Sequence, residues 1–213
     1  MTTLILIRHG QSVANIKSLF AGHSDVELSE LGKEQAQVTA DYIFKTYKVD
    51  KVYASDLQRA YFTGKATADR FGLNVEKTDR MREIFAGEWE CKQYEWLAQN
   101  DSEAYDCWLH DTGNSRCPGG ESVAQLGRRV YDALLKIAQE NDGKTVVVAT
   151  HATPIRVMEC MCQNISLDQM KDVPWVSNAS VTELQYDQEK WNYVKRGYDA
   201  HLGEIKTKLP ANV

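Results

Sequence analysis

Thr3-Leu4-Ile5-Leu6-Ile7-Arg8-His9-Gly10 and Thr145-Val146-Val147-Val148-Ala149-Thr150-His151 are the stretches that decide the fold. Each is a short apolar run that is continuous, not alternating, and each stops at a histidine. Runs of this kind suit strands covered on both faces, as in a parallel sheet between helices. The rest of the chain supplies the covering. Residues 29–47 carry Ala36, Ala40, Ile43 and Tyr47 at helical spacing, with Ser29 placed to cap the first turn. Lys51-Val52-Tyr53-Ala54 reads as a strand, and Ser55-Asp56 as the cap of a helix that runs to Phe71 and stops at Gly72. Residues 121–140 show an apolar stripe of Val123, Leu126, Val130, Leu134 and Ile137. An Asn141-Asp142-Gly143 turn leads into the second apolar run. Thr153-Pro154 opens a further helix with proline at its first position. Residues 180–186 and 190–196 read as a hairpin about Asp187-Gln188-Glu189.

Strands alternating with helices predict an α/β fold with a mostly parallel sheet. Ligands of such sheets bind outside the carboxyl ends of the strands. If the two apolar runs are neighbours, His9 and His151 meet in one crevice there.

The 213 residues make one large domain, since no repeat, low-complexity tract or Pro/Ser-rich linker divides them. A hydrophobic share of 43% and a charged share of 26% exclude a disordered or fibrous chain. No apolar run approaches the roughly 20 residues of a membrane helix, and no signal peptide is visible. The expectation is therefore a soluble, cytoplasmic protein. The net charge of −5, from 25 Lys and Arg against 30 Asp and Glu, speaks against a nucleic-acid partner. It does not forbid an anionic substrate in a locally basic pocket. The five cysteines, Cys91, Cys107, Cys117, Cys160 and Cys162, form no zinc template. They read as buried thiols in a reducing compartment, and Cys160-Met161-Cys162 as part of a buried helix.

Arg8, His9, Arg59 and His151 together make an anion site. Guanidinium forks match phosphate oxygens, and histidine can act as a covalent nucleophile. A phosphomonoester fits this charge better than a neutral substrate. Asn15 either adds an amide donor or only caps a turn.

Here the sequence becomes similar to a known family. Leu6-Ile7-Arg8-His9-Gly10-Gln11-Ser12, followed by Asn15, resembles the signature of the histidine phosphatase superfamily, which includes the cofactor-dependent phosphoglycerate mutases. The other stations follow in order: Gly22, Asp25, Leu28, Ser29 and Gly32; Ala54-Ser55-Asp56-Leu57-Gln58-Arg59-Ala60; Arg82-Glu83-Ile84 with Gly87, Trp89 and Glu90; Pro118-Gly119-Gly120-Glu121-Ser122; and Val147 to His151 with Pro154-Ile155-Arg156. The resemblance runs from residue 3 to about residue 186, and as a set these motifs are very specific. It implies a three-layer α/β/α sandwich, with residues 85–120 as a small helical cap or lid. It implies His9 as a nucleophile forming a phosphohistidine. Arg8, Arg59 and His151 would clamp the phosphate, helped by Asn15 and the backbone of Ala152. Glu83 would be the acid and then the base, chosen over Asp79 and Glu88 by its Arg-Glu-Ile context. No metal and no cofactor is implied.

Two positions depart from the pattern: Ala152 and Cys91 stand where relatives carry glycine. Tyr94, Trp96, Tyr105 and Trp108 read as cap core or as pocket lining, packing being preferred. His23 and His110 read as surface residues. The expected function is hydrolysis of a small phosphorylated metabolite. A phosphoglycerate mutase is the alternative, and a catalytically silent phosphate-binding protein a third reading. Residues 91–117 hold only Lys92 and Arg116 as lysine or arginine, against five carboxylates, which disfavours the mutase, though Arg128 and Arg129 lie near enough in sequence to reach in. The natural substrate and the oligomeric state are left open.

Overall fold

The structure, a computed structural model, describes residues 1–208. A six-stranded sheet has the order β3-β2-β4-β1-β5-β6. Its strands are β1 (Thr2–Arg8), β2 (Lys51–Ser55), β3 (Val75–Thr78), β4 (Thr145–Thr150), β5 (Val181–Asp187) and β6 (Lys190–Tyr198). β1 and β4 are parallel neighbours in the register Leu4–Val146 to Arg8–Thr150, so the histidines that follow them emerge side by side. β2 pairs parallel with β4 and β3, while β5 and β6 complete the sheet antiparallel.

Strand side chains alternate between faces, and that sorts the two apolar runs into two cores. Leu4, Leu6, Val146 and Val148 pack on one face with α6 (Val123–Glu140) and α7 (Ala152–Gln163). Ile5, Ile7 and Val147 pack on the other with α2 (Glu30–Thr46) and α3 (Gln58–Phe71). Leu4, Ile5, Leu6 and Ile7 are each 0–1% exposed; full burial of one such side chain contributes about 1.5–3 kcal/mol. This is the three-layer α/β/α sandwich. The short α1 (Val13–Ile16) follows β1, and α4 (Tyr94–Asn100) and α5 (Ser102–His110) lie between β3 and α6.

Several local expectations are met. Ser29 Oγ accepts from Gly32 N at the head of α2, and Gly72 ends α3 in the left-handed conformation. Gln188 and Glu189 take positive φ in the β5–β6 turn. Others are corrected. The first turn of α3 is not capped by Ser55 or Asp56: Leu57 is its N-cap, and Gln58 N donates instead to Asp25 Oδ1 at 2.7 Å. Asp56 is drawn away by Arg82, whose Nε donates to its Oδ1 at 2.7 Å. Pro154 is the third residue of α7, not the first. Of the cysteines expected to be buried, Cys117 and Cys160 are, while Cys91 is exposed. β3 was not foreseen, because as a short edge strand whose four residues escape full burial it shows no apolar pattern.

Candidate active site

The loop after β1 carries His9 against the start of α2. A Cβ on Gly10 would come within 2.3 Å of Gly32 O, and one on Gly32 within 1.9 Å of Gln11 O. Both glycines are therefore required by close backbone approach, which explains the glycine of the Arg-His-Gly triplet. Gly10 N donates to Thr63 Oγ1 at 3.0 Å, and Thr63 Oγ1 donates to Arg59 O at 2.8 Å. The loop that carries His9 and the helix that carries Arg59 are thus coupled through Thr63.

His9 and His151 are buried, with ring centroids 5.1 Å apart. His9 Nδ1 lies 2.7 Å from Gly10 O. A carbonyl only accepts, so this nitrogen carries the proton and Nε2 keeps its lone pair. His151 Nε2 lies 2.9 Å from Ser55 Oγ, leaving Nδ1 buried without a partner among the described residues. Burial, with the Arg59 and Arg8 charges behind it, holds His9 well below the ordinary histidine pKa. Burial and Arg59 do the same to His151. Both imidazoles are neutral at pH 7.

Arg8 and Arg59 are 6% and 1% exposed. Arg8 Nη1 donates to Val176 O, and its Nε is buried without a partner. Burial lowers the Arg8 pKa to about 10, which leaves it charged at pH 7. Arg59 donates from its Nη atoms to Ser24 O and Gly22 O, at 2.8 and 2.7 Å. That loop is held in turn by Glu90, whose carboxylate accepts from His23 N and Ser24 N at 2.8 Å, from Ala86 N at 3.0 Å and from the Ser24 hydroxyl.

Asn15 caps the turn, and it also lines the cleft. Its Oδ1 accepts from Ser12 N, Ser12 Oγ and Asn178 Nδ2, which caps the turn and leaves its NH2 as the group it can offer a ligand in the cleft it lines. Ala152 begins α7 beside the cleft. It has helical backbone, which alanine adopts more readily than glycine. Cys91 has φ +58°, the left-handed region that favours glycine; the exchange there costs about 1 kcal/mol.

Glu83 reaches the cleft with Oε1 accepting from Ile84 N at 2.8 Å and Oε2 from Thr153 N at 3.2 Å. Its backbone carbonyl is held by Arg129 Nη2 at 2.7 Å and by His23 Nε2 at 2.9 Å. His23 is therefore a half-buried loop anchor, not a surface residue, whereas His110 is exposed. Arg129 does not reach the phosphate side. It is fixed by Glu121 through Nε and Nη2, both at 2.8 Å, and spans the carbonyls of Arg80 and Arg82. Arg128 is exposed.

All the residues expected from the sequence come together: Arg8, His9, Asn15, Arg59, Glu83 and Ala152 line one cleft, and His151 packs against His9. Tyr94 and Trp108 line it as well as packing in the cap, while Trp96 is exposed. Sequence reasoning missed Thr63 and Asn178, and the supporting roles of Ser55, Glu90, Glu121 and Arg129. Ser55 and Thr63 had a signal, since they sit at the end of β2 and one turn beyond Arg59; the others depend on distant segments meeting.

Two buried, neutral histidines and two buried arginines gathered at the carboxyl edge of an α/β sheet make an anion site of the kind that handles phosphoryl groups. Residues 4–199 match the model of the histidine phosphatase superfamily, branch 1, and the chain belongs to that family. It is 31% identical to phosphoserine phosphatase 1 of Hydrogenobacter thermophilus, over 96% of each chain. Among solved structures it resembles Bacillus stearothermophilus YhfR, with a TM-score of 0.90 at 25% identity over 95% of this chain and 100% of that one. It also resembles a mycobacterial glucosyl-3-phosphoglycerate phosphatase complexed with VO3, with a TM-score of 0.82 at 28% identity over 90% and 96%. The chain is a histidine-phosphatase phosphomonoesterase. Among the described residues no helix is long and apolar enough to cross a membrane.

Proposed function

We propose that the protein hydrolyses small phosphomonoesters through a phosphohistidine on His9 Nε2. One observation carries this: a buried, neutral His9 whose Nδ1–H is pinned to Gly10 O, beside two buried guanidiniums. The Nε2 lone pair attacks phosphorus while the ester P–O bond breaks. Glu83 gives its proton to the departing oxygen, and the alcohol leaves. Water then attacks the phosphohistidine, passes a proton to Glu83, and the N–P bond breaks to release inorganic phosphate.

Arg8, Arg59, Asn15, the His151 Nδ1 edge and the Ala152 backbone N–H hold the equatorial oxygens. The head of α7 adds its partial positive charge. Two guanidiniums supply the neutralisation a metal gives elsewhere, so turnover proceeds without a metal or other cofactor. Residues 85–120, with α4 and α5, act as the lid. The reading extends to a cytoplasmic enzyme with no nucleic-acid or membrane partner.

The mutase alternative needs cations for a second anionic group. Lys92 instead lies 4.8 Å over the Trp96 ring, and Arg116 is spent on Gly120 O and Gln125 Oε1. Hydrolysis is the reading these contacts favour. The test is acid quenching with labelled substrate. Wild type retains acid-labile phosphate on His9, and His9→Ala retains none and loses several decades of rate. Equal labelling of both refutes the proposal.

A further inference from the structure

The cleft has a second half. Besides the groups of the phosphate clamp it is lined by Leu19, Phe20, Ile84, Tyr94, Trp108 and Trp175. The aromatic rings are locked by one another. Phe20 meets Trp108 at 5.0 Å and Tyr94 at 6.1 Å between centroids, and Trp108 meets Trp175 at 6.2 Å. Trp175 is fixed further by the Arg156 guanidinium, 4.0 Å from its ring centre. Arg156 does not line the cleft itself: its Nε and Nη2 donate to Val173 O and Met170 O.

Among the described residues lining the cleft, the charged side chains are Arg8, Arg59 and Glu83. The arginines face the nucleophile, and Glu83 is negative when ionised. The nearby cations Lys92, Arg116 and Arg129 are engaged elsewhere. A carboxylate on the leaving alcohol would be desolvated against ring faces with no lining counter-charge outside the clamp, beside Glu83 and with Arg156 behind the Trp175 ring, bonded to Val173 O and Met170 O. A flat uncharged ring would meet preformed aromatic surface.

Resting on the reading of the cleft as a phosphomonoesterase site, we propose that its second half is a ring-binding leaving-group subsite. It selects phosphomonoesters of alcohols that bear an uncharged ring, over esters whose alcohol carries a carboxylate. Trp175 and Tyr94 are the specificity-determining residues, since both are only partly buried while Phe20 and Trp108 also hold the cap core.

The experiment compares benzyl phosphate, ethyl phosphate and O-phosphoserine by release of inorganic phosphate. All three leave as primary alcohols, so the demand on the acid is similar. The expected kcat/KM for benzyl phosphate exceeds that for ethyl phosphate by about tenfold, the scale of one matched apolar group, and phosphoserine does not exceed ethyl phosphate. Trp175→Ala and, separately, Tyr94→Leu lower the benzyl-to-ethyl ratio severalfold. Loss of structure alone would lower both rates and leave the ratio unmoved; vanadate inhibition reports on the phosphate half in each variant. Phosphoserine hydrolysed as well as benzyl phosphate, or a ratio unmoved in both variants, overturns the subsite. Absence of phosphate release from all three esters in wild type overturns the phosphatase reading itself, and the subsite with it.

Discussion

Acidification tests the buried histidine pair without touching catalysis. His9 and His151 are 5% and 0% exposed, and both have pKa values well below the ordinary one through burial and then Arg59. In the unfolded chain each titrates near 6.5. The folded pKa is the lower one, so between the two values the unfolded chain binds protons that the folded chain refuses. Their stabilisation is full above about pH 6.5 and is lost as pH falls below it. From pH 7.5 to 5.5 the loss is up to about 1.4 kcal/mol per imidazole, or about 2.7 kcal/mol for the pair. For a chain of this size that is a fall in Tm of about 5–10 °C. His23 and His201, half-buried and shifted the same way, add a smaller loss. The assay is urea unfolding followed by tryptophan fluorescence at both pH values, in a buffer without phosphate, whose dianion would stabilise the imidazolium forms. A His9→Gln/His151→Gln double variant removes both titrating groups and recovers most of the acid loss. An equal loss in wild type and variant refutes the claim that the pair is held neutral by burial.

Other consequences are tested on the same protein. Glu83→Gln slows phosphorylation of His9 by alkyl phosphates more than by aryl phosphates, because an aryl leaving group needs little protonation. It also slows release of phosphate from His9 whatever the donor, as burst kinetics will report; wild-type phosphorylation rates with both donors would shift the acid role to Asp79 or Glu88. A chelator leaves turnover unchanged and vanadate inhibits it; activity removed by the chelator and restored by a divalent metal would exclude the two-arginine account. Glu90→Gln weakens inhibition by inorganic phosphate about tenfold, since the loop whose carbonyls orient Arg59 loses a charged anchor. An unchanged inhibition constant would mean that Arg59 is oriented without that loop.

The parts of the fold legible in the sequence are those where one residue type settles the local outcome. The runs Leu4–Ile7 and Val146–Ala149 are buried on both faces, so nothing polar interrupts them, whereas their pairing is open in the sequence and is seen only in the sheet. Ser29 and Gly72 act on their own helix ends and were read correctly. The cap of α3 was misread because Asp25 arrives from another loop, while the local candidate, Asp56, is held by Arg82. No reading of residues 55–58 alone reveals that exchange. β3 escaped for the opposite reason: at the sheet edge it buries too little to leave a pattern.

The site divides along the same line, and the division has a chemical cause. Phosphate is one ligand with one geometry, so the residues proposed to handle it stand in recognisable motifs, around Arg8, His9, Arg59, Glu83 and His151. The groups that aim those residues act at one remove, so even where one stands within a motif, as Glu90 does, the partner it holds does not show in the sequence. Glu90 acts on Arg59 only through the backbone of residues 22–24, and Arg129 acts on Glu83 only through its carbonyl. Either job can be done by any side chain of suitable reach and charge. The leaving alcohol is freer still, for the groups proposed to meet it are Leu19 and Phe20 before the first long helix, Tyr94 and Trp108 in the cap, and Trp175 ahead of β5. Each of these reads in sequence as an ordinary packing residue, and each does pack. Their second role follows only from the cleft they share with Glu83, where the absence of a third lining cation among the described residues sets what kind of alcohol can enter.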